Sequence, residues 1–176
     1  IAIAYGYENF DSLIPNVSTV AQEDKFEILK AKISQLLVGL RFIETSTYHL
    51  TNKDFQCKKM NTDAQLIELA NSISSDYNVL RSWVIPSLME ILSGNKHHEY
   101  PQRIFAIGTI FKKNDEMETN IEENDRLAAA IASENTDYTE IKQILDYLFR
   151  SLNLKYEIVE TEHNSFIEGR AARIAV

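Results

Sequence analysis

One amphipathic helix constrains this sequence more than any other feature. Between residues 22 and 40, apolar side chains recur at positions that fall on one side of a helix: Phe26, Leu29, Ile33, Leu36, Leu37 and Leu40. Charged and polar residues occupy the other side, and Gly39 and Arg41 suit the C-terminal end. Part of such a stripe must cover a sheet within the same chain, because an apolar helix face has to be buried.

The rest of the sequence predicts that sheet and two more helices. Helical patterns run from about residue 83 to 93, with Pro86 at an N-terminal position, and over residues 138–152. Patterns typical of strands cover residues 42–50, 64–70, 103–111, 126–133, 155–160 and 171–176. Because strands follow one another through loops instead of alternating strictly with helices, we expect an α+β fold with an antiparallel sheet flanked by helices.

Two polar segments are expected to be loops. Residues 51–63 lack a periodic apolar pattern, and residues 112–125 carry six acidic residues against two lysines. Mutual repulsion of those carboxylates and the small apolar content predict a mobile, solvated hairpin loop over residues 112–125.

The net charge and the cysteine content limit the cellular locations and the binding partners that we expect for this chain. The chain has 176 residues, a length typical of one domain, with 18 basic and 26 acidic residues and a formal net charge of −8. An acidic balance argues against autonomous nucleic-acid binding, which needs clustered lysine and arginine. The single cysteine, Cys57, excludes an internal disulfide or a multi-cysteine zinc site and favours a cytoplasmic location. No apolar run approaches the roughly 18 residues of a membrane helix, so we expect no membrane contact.

The sequence offers no recognisable catalytic or metal-binding group. Its five glycines are too dispersed to form a phosphate-cradling loop, which argues against an independent nucleotide-using enzyme. Cys57 lies beside lysines that could lower its pKa, but no positioned base accompanies it. The four histidines lack the spacing of a metal site: His49, His97, His98 and His163. We therefore expect no catalytic, cofactor-binding or metal-binding residue in this chain.

Two arginines are the better candidates for a functional role. Arg81 precedes an apolar helix, and Arg170 lies in the sequence Glu168-Gly169-Arg170. A guanidinium at such a position can hold a phosphate or a carboxylate, but it can equally form a structural ion pair. Both interpretations remain open at this stage.

Several segments, taken in order, resemble one family. Residues 1–9 read IAIAYGYEN, and three later segments follow: 66–81 with Pro86, 103–111, and 169–174, which reads GRAARI. Together they resemble the β subunits of phenylalanyl-tRNA synthetases of the archaeal and eukaryotic cytosolic type. The matching region of that family is a catalytic-like module, a degenerate relative of the class II synthetase catalytic domain.

This resemblance implies a class II-like antiparallel sheet without catalytic equipment. Class II active sites combine two strands that carry an arginine with a glycine-rich helix that carries a second arginine. This chain has no such helix. In the family, the α subunit performs adenylation and transfer, and the β module packs against it. The full enzyme uses ATP and magnesium, and this fragment would hold neither. The family's magnesium-binding acids lie immediately upstream of the position of Ile1. The implied partners are therefore the α subunit and, in the full assembly, tRNA.

The resemblance also suggests how the chain is organised. Residues 1–20 would be the end of a preceding domain or a junction, and residues 21–176 the catalytic-like module, truncated at its C-terminus. Four positions depart from the family pattern: Ser72, Ser87, Ala106 and Glu168. Two other functions stay open: a generic protein-interaction module, and a small independent enzyme of unrecognised type. A pocket with convergent polar groups and shifted pKa values would favour the enzyme.

Overall fold

The computed structural model describes residues 1–14, 16 and 21–176, and a long β-hairpin lies at its centre. The helices are α1 (Ala2–Tyr5), α2 (Lys25–Gly39), α3 (Ile85–Gly94) and α4 (Tyr138–Ser151), with short helical turns at Tyr7–Asn9 and Asp54–Lys58. The strands are β1 (Ile43–Glu44), β2 (Leu50–Thr51), β3 (Val79–Leu80), β4 (Gln102–Lys113), β5 (Ile121–Ala132), β6 (Glu157–Glu160) and β7 (Ala172–Ala175).

Strands β4 and β5 form the hairpin and, with β1, the main sheet in the order β1-β4-β5. The hairpin is antiparallel over its whole length, from the pair Gln102 and Ala132 to the pair Lys113 and Ile121. The pairs β2–β3 and β6–β7 are also antiparallel, which confirms the predicted α+β fold with antiparallel strands and flanking helices. Among the strands in the described ranges, only the short β1 has a parallel partner, which is β4.

Helices cover both faces of the hairpin because its residues alternate in direction. On one face, Val84, which immediately precedes α3, and Leu88 of α3 form a core with five residues of the hairpin: Ile104, Ala106, Ile110, Ala128 and Ala130. On the other face, Leu37 of α2 and Ile144 of α4 pack around Phe42 and Phe105. The two clusters lie on opposite sides of β4, so this strand is the shared centre of the fold.

Polar groups fix both long helices at their ends. Asp24 caps α2 by accepting a hydrogen bond from the Phe26 amide at 2.7 Å, and Asp137 caps α4 through the Glu140 amide at 2.9 Å. Arg103 of β4 donates to the Leu40 carbonyl at 3.1 Å and pairs with Glu140 at 2.5 Å. This arginine thus connects the end of α2, the sheet and the start of α4.

The predicted acidic loop over residues 112–125 is wrong in its bounds. Strand β4 continues to Lys113 and β5 begins at Ile121, so residues 114–120 alone form the turn. Cross-strand pairing overrides the charge pattern here, because Lys112 lies opposite Glu122 and the acids project from a hydrogen-bonded ladder. The mobility of the remaining turn stays a prediction.

Three other local predictions also need correction. The strand predicted over residues 42–50 is reduced to β1 and β2, because the chain leaves the edge of β4 after Thr45 donates its amide to the Phe105 carbonyl at 2.8 Å. The strand predicted over residues 64–70 is a single bridge between Glu68 and Val79, since β3 is too short for a longer ladder. The loop predicted over residues 51–63 contains the helical turn Asp54–Lys58.

The predicted helices agree well with the structure. The prediction over residues 22–40 corresponds to α2, that over residues 83–93 to α3, and that over residues 138–152 to α4. No helix within the described part of the chain combines the length and the apolar character needed to cross a bilayer.

The junction predicted over residues 1–20 falls partly outside the described residues. Its described portion contains α1 and the turn Tyr7–Asn9, and neither contributes a buried residue. The division of the chain at residue 20 stays a prediction.

Leu88 should be among the most sensitive positions in the core, since its exposed fraction is 0%. We expect Leu88→Ala to lower the free energy of unfolding by about 2–5 kcal/mol, because it removes buried methyl groups and leaves a cavity between α3 and the sheet. Urea denaturation measures this loss. Met89→Ala, at a neighbouring residue that is 39% exposed, is the control and should cost much less. Equal effects of the two substitutions would contradict the packing of α3.

Candidate functional site

The buried Arg81 is the most unusual polar residue of the structure. It directly follows β3, and only 2% of its surface is exposed. Its amide donates to the His49 carbonyl at 2.9 Å, and its carbonyl accepts from the Phe111 amide at 2.9 Å. The backbone at this residue therefore extends the sheet beside β4 and fixes where the side chain starts.

The guanidinium of Arg81 connects two chain segments that are distant in sequence. Its Nε donates to the Thr109 carbonyl at 2.7 Å, and its Nη1 donates to the Thr47 hydroxyl at 2.9 Å. Its Nη2 makes no hydrogen bond to any residue that the structure describes. Two of the three guanidinium nitrogens are thus used structurally, and the third is available.

Gly108 makes room for this side chain. A Cβ atom at position 108 would overlap Nη2 of Arg81 and would lie 3.0 Å from its Cζ. Gly108 belongs to the central strand β4, although a glycine inside a strand weakens it. We infer that the absence of a side chain at this position permits the close approach of Arg81.

Arg81 is a buried cation without an ion-pair partner among the described residues. Burial lowers the pKa of Arg81, and the charge of Asp125 opposes that change. A buried charge that lacks a close counter-ion carries a desolvation penalty of several kcal/mol. The neutral hydrogen bonds to Thr109 and Thr47 offset only part of such a penalty.

Asp125 is the nearby charge, but it is committed to other partners. Its carboxylate accepts from the Thr109 hydroxyl at 2.7 Å and pairs with Lys30 of α2 at 3.0 Å. The hydrogen bond from Thr109, followed by that from Lys30, holds the pKa of Asp125 below its usual value. Lys30 also pairs with Glu27 at 2.5 Å, and these two hydrogen bonds raise its pKa.

A cavity of about 640 Å³ opens beside these groups, between α2, residues 44–49 and strand β4. Its lining carries two cations and four carboxylates: Arg81, Lys30, Glu23, Glu27, Glu44 and Asp125. The remaining walls are mostly small or polar side chains, together with Ile107, His49 and the backbone at Gly108. The cavity is therefore a polar, acidic pocket with a buried guanidinium in its wall.

The structure separates the other residues considered from the sequence. Arg170 is exposed and lines a groove between α4 and β7, away from Arg81. The rings of His97 and His98 lie 4.3 Å apart. Cys57 is buried, and its thiol donates a hydrogen bond to the Ala64 carbonyl. Within the described ranges, no three His, Cys, Asp or Glu side chains meet in an arrangement suited to a metal ion. The expectation of no catalytic or metal-binding residue stays a prediction.

Sequence reasoning missed Gln56, which is 1% exposed. Its Oε1 accepts from the amides of Ser82 at 3.2 Å and Trp83 at 3.1 Å, and its Nε2 donates to the Trp83 carbonyl at 3.2 Å. These bonds hold the segment between Arg81 and α3, where the helix has no side-chain cap of its own. Because the partners are 26 and 27 residues away, no local sequence signal marks this glutamine.

The predicted apolar stripe of α2 divides between the core and the surface. Leu37 is buried, whereas five apolar residues of α2 and β1 are exposed: Phe26, Ile28, Leu29, Val38 and Ile43. We call these five residues the α2–β1 surface. Exposed apolar side chains on these two elements are candidates for contact with a partner.

Comparisons with known proteins identify relatives along the whole chain. A family model described as the phenylalanyl-tRNA synthetase beta chain CLM domain matches residues 11–176. The phenylalanine–tRNA ligase beta subunit of Pyrococcus horikoshii is 44% identical over the entire chain, and that of Pyrococcus furiosus is 42% identical. The beta subunit of Methanopyrus kandleri is 33% identical over 98% of the chain. The chain spans 32%, 32% and 30% of these three relatives, respectively.

A solved structure extends the comparison to the fold. The pyrrolysyl-tRNA synthetase of Desulfitobacterium hafniense superimposes with a TM-score of 0.64, covering 77% of this chain and 50% of its own. At 18% sequence identity, this similarity concerns the fold alone. It confirms the predicted class II synthetase architecture.

The contacts of Asp125 predict an acid-sensitive contribution to stability. Because its folded pKa is lowered, the contribution is present above the unfolded value of about 3.9 and is lost as the pH falls through the folded pKa. We expect Asp125→Asn to reduce the acid-side loss of stability, measured by urea denaturation from neutral to acidic pH. Asp76→Asn, at an exposed position in another part of the chain, is the control. An unchanged pH profile for Asp125→Asn would contradict the assignment.

Proposed function

The chain belongs to the phenylalanyl-tRNA synthetase beta chain CLM domain family, and on that premise we propose that it is a non-catalytic structural module of the β subunit of phenylalanine–tRNA ligase. In this role it supports assembly with the catalytic α subunit, which carries out ATP-dependent aminoacylation of tRNA(Phe) in the cytoplasm. The curated relatives are about three times as long as the chain, so the activity of the whole protein is part of this proposal.

The observation that carries the proposal is the α2–β1 surface. Ile28 and Val38 of α2 have exposed fractions of 50% and 56%, although the buried Leu37 lies between them in sequence and faces the core. The centres of protein interfaces are apolar and poor in charge. A helix with one side in its own core and other apolar residues exposed is suited to joining two subunits.

The packing of α3 against the β4–β5 hairpin supports a non-catalytic role. Helix α3 lies directly against the hairpin, where Leu88 and Val84 contact the small residues Ala128 and Ala130. This part of the face of the β4–β5 hairpin is therefore filled by apolar side chains instead of a substrate pocket. In this proposal, magnesium and ATP serve the full enzyme. The described residues do not bring together a donor set for the metal.

The negative net charge of the chain argues against direct contact with tRNA. A formal net charge of −8 opposes contact with a phosphate backbone. We therefore place tRNA among the ligands of the full assembly and not on this module.

The cavity beside Arg81 favours a small independent enzyme as the second candidate, because polar groups and shifted pKa values converge there. A nucleophile needs a positioned base within hydrogen-bond reach. The only histidine in the lining, His49, has no side-chain hydrogen bond to a described residue, so the structural module is the better supported proposal.

The isolated chain should not activate phenylalanine. We expect ATP–pyrophosphate exchange driven by phenylalanine to remain at background, because the chain lacks the glycine-rich helix with a second arginine. The assembled αβ enzyme is the positive control in the same assay. Exchange by the isolated chain well above background would overturn the non-catalytic role.

Charges on the α2–β1 surface should weaken subunit assembly. We expect Ile28→Glu or Val38→Glu in the full-length β subunit to lower its affinity for the α subunit at least about tenfold, because a carboxylate would be desolvated in an apolar interface. Analytical ultracentrifugation measures the association, and circular dichroism confirms folding.

Ile73→Glu is the matched control, because Ile73 is an exposed isoleucine in a loop outside the α2–β1 surface. Its substitution introduces the same charge and should leave assembly unchanged. Normal assembly of both folded α2 variants would exclude this helix from the interface.

A further inference from the structure

A second cavity, of about 940 Å³, opens between residues 46–55, the loop before β3 and helix α3, and we call it the α3 cavity. We propose that it binds an aliphatic diamine or polyamine, whose ammonium groups pair with Asp76 and Glu90 and whose methylene chain packs on apolar walls. The α3 cavity is separate from the α2–β1 surface, since none of its lining residues belongs to that surface.

The charges of the α3 cavity all have one sign. Asp76, in the loop before β3, and Glu90 of α3 line it, and no lysine, arginine or histidine of the described residues does. Neither carboxylate forms an ion pair within the part of the chain that the structure describes. A cation in the α3 cavity would therefore be attracted by two carboxylates that have no other charged partner among the described residues.

The end of helix α3 adds to this negative potential. Gly94 and Asn95, at the C-terminal end of α3, also line the cavity. The C-terminal end of a helix carries a partial negative charge of roughly half an elementary charge, which favours a nearby cation. No basic residue lies in the last turn of α3 to compensate it.

Two buried hydroxyl groups in the lining lack a partner. Thr51 and Ser87 have exposed fractions of 8% and 6%, and both line the α3 cavity. Neither hydroxyl forms a hydrogen bond with a residue that the structure describes. Because buried polar groups are normally hydrogen-bonded, these two hydroxyls indicate that the cavity receives a polar ligand. A hydroxyl oxygen can accept a hydrogen bond from an ammonium N–H group.

The apolar part of the lining suits the carbon chain of an organic cation. It consists of three aromatic and two aliphatic side chains: Tyr48, Phe55, Tyr77, Leu50 and Ile91. The rings of Tyr48 and Tyr77 are in edge-on contact, with centroids 6.0 Å apart. The faces of aromatic rings attract ammonium groups, and methylene groups gain from contact with apolar walls.

These features together distinguish the class of ligand. An anion would be repelled by both carboxylates, and a monoamine would neutralise only one of them. A divalent metal ion needs several oxygen ligands in direct contact, and no three His, Cys, Asp or Glu side chains converge within the described ranges. An aliphatic diamine supplies two positive charges and a chain that the apolar walls can cover.

Ligand fragments test whether both ammonium groups are recognised. Isothermal titration of the full-length β subunit, assembled with its α subunit, would compare the four-carbon diamine putrescine with butylamine at constant ionic strength. We expect putrescine to bind at least about tenfold more tightly, because butylamine lacks the second ammonium group. Butylamine also represents the single ammonium group of a lysine side chain, so equal affinities would overturn the proposal.

Competition with magnesium tests the role of the carbon chain. Mg²⁺ has the same charge as putrescine but cannot contact the apolar walls. We expect an equal concentration of Mg²⁺ to leave putrescine bound. Displacement of putrescine under these conditions would show that charge alone is recognised and would overturn the proposal.

Substitutions locate the binding in the α3 cavity. Glu90→Gln removes one carboxylate at an exposed position, and Tyr77→Leu removes one ring while it keeps an apolar side chain. We expect each variant to weaken putrescine binding several-fold, and circular dichroism confirms that each variant is folded.

Matched controls change the same residue types outside the cavity. Glu134 is exposed, Tyr147 has the same exposed fraction as Tyr77, 46%, and neither lines the α3 cavity. Glu134→Gln and Tyr147→Leu should therefore bind putrescine with unchanged affinity. Full affinity in both folded cavity variants, or no detectable binding of putrescine at millimolar concentration, would overturn the proposal.

Discussion

The buried guanidinium of Arg81 is the interaction on which the central part of the fold depends. Through Nε and Nη1 it joins Thr109 of β4 to Thr47, in the segment that leads from β1 to β2. Its backbone extends the sheet between His49 and Phe111, and Gly108 leaves the space that the side chain needs. Because the polar groups of one residue fix three chain segments, the position of the cavity wall follows from this contact.

Gln56 extends the same arrangement toward α3. Its amide group satisfies the backbone at Ser82 and Trp83, immediately after Arg81, so the chain enters α3 in a fixed direction. That direction places Leu88 against Ala128 and Ala130 on the face of the hairpin. The apolar packing on this face and the polar cavity beside β4 therefore share one set of hydrogen bonds, although they suit different roles.

Helix α2 contributes residues to the core, to the surface and to the cavity beside Arg81. It contributes Leu37 to the core, exposes Ile28 and Val38 on the α2–β1 surface, and supplies Glu27 and Lys30 to the cavity. Subunit association at the α2–β1 surface would therefore involve the helix that also forms one wall of the cavity beside Arg81.

The sequence by itself determined the three long helices, the α+β class and the resemblance to the synthetase family, because helical periodicity and residue motifs are local properties. It did not determine the extent of the hairpin, since pairing with β4 turned the acidic residues from Glu122 to Asp125 into strand. It left Arg81 open between ligand binding and an ion pair. Only the tertiary structure placed Arg81 against Gly108, Thr109 and Thr47, because these residues lie 27, 28 and 34 positions away and meet only when β3 packs beside β4.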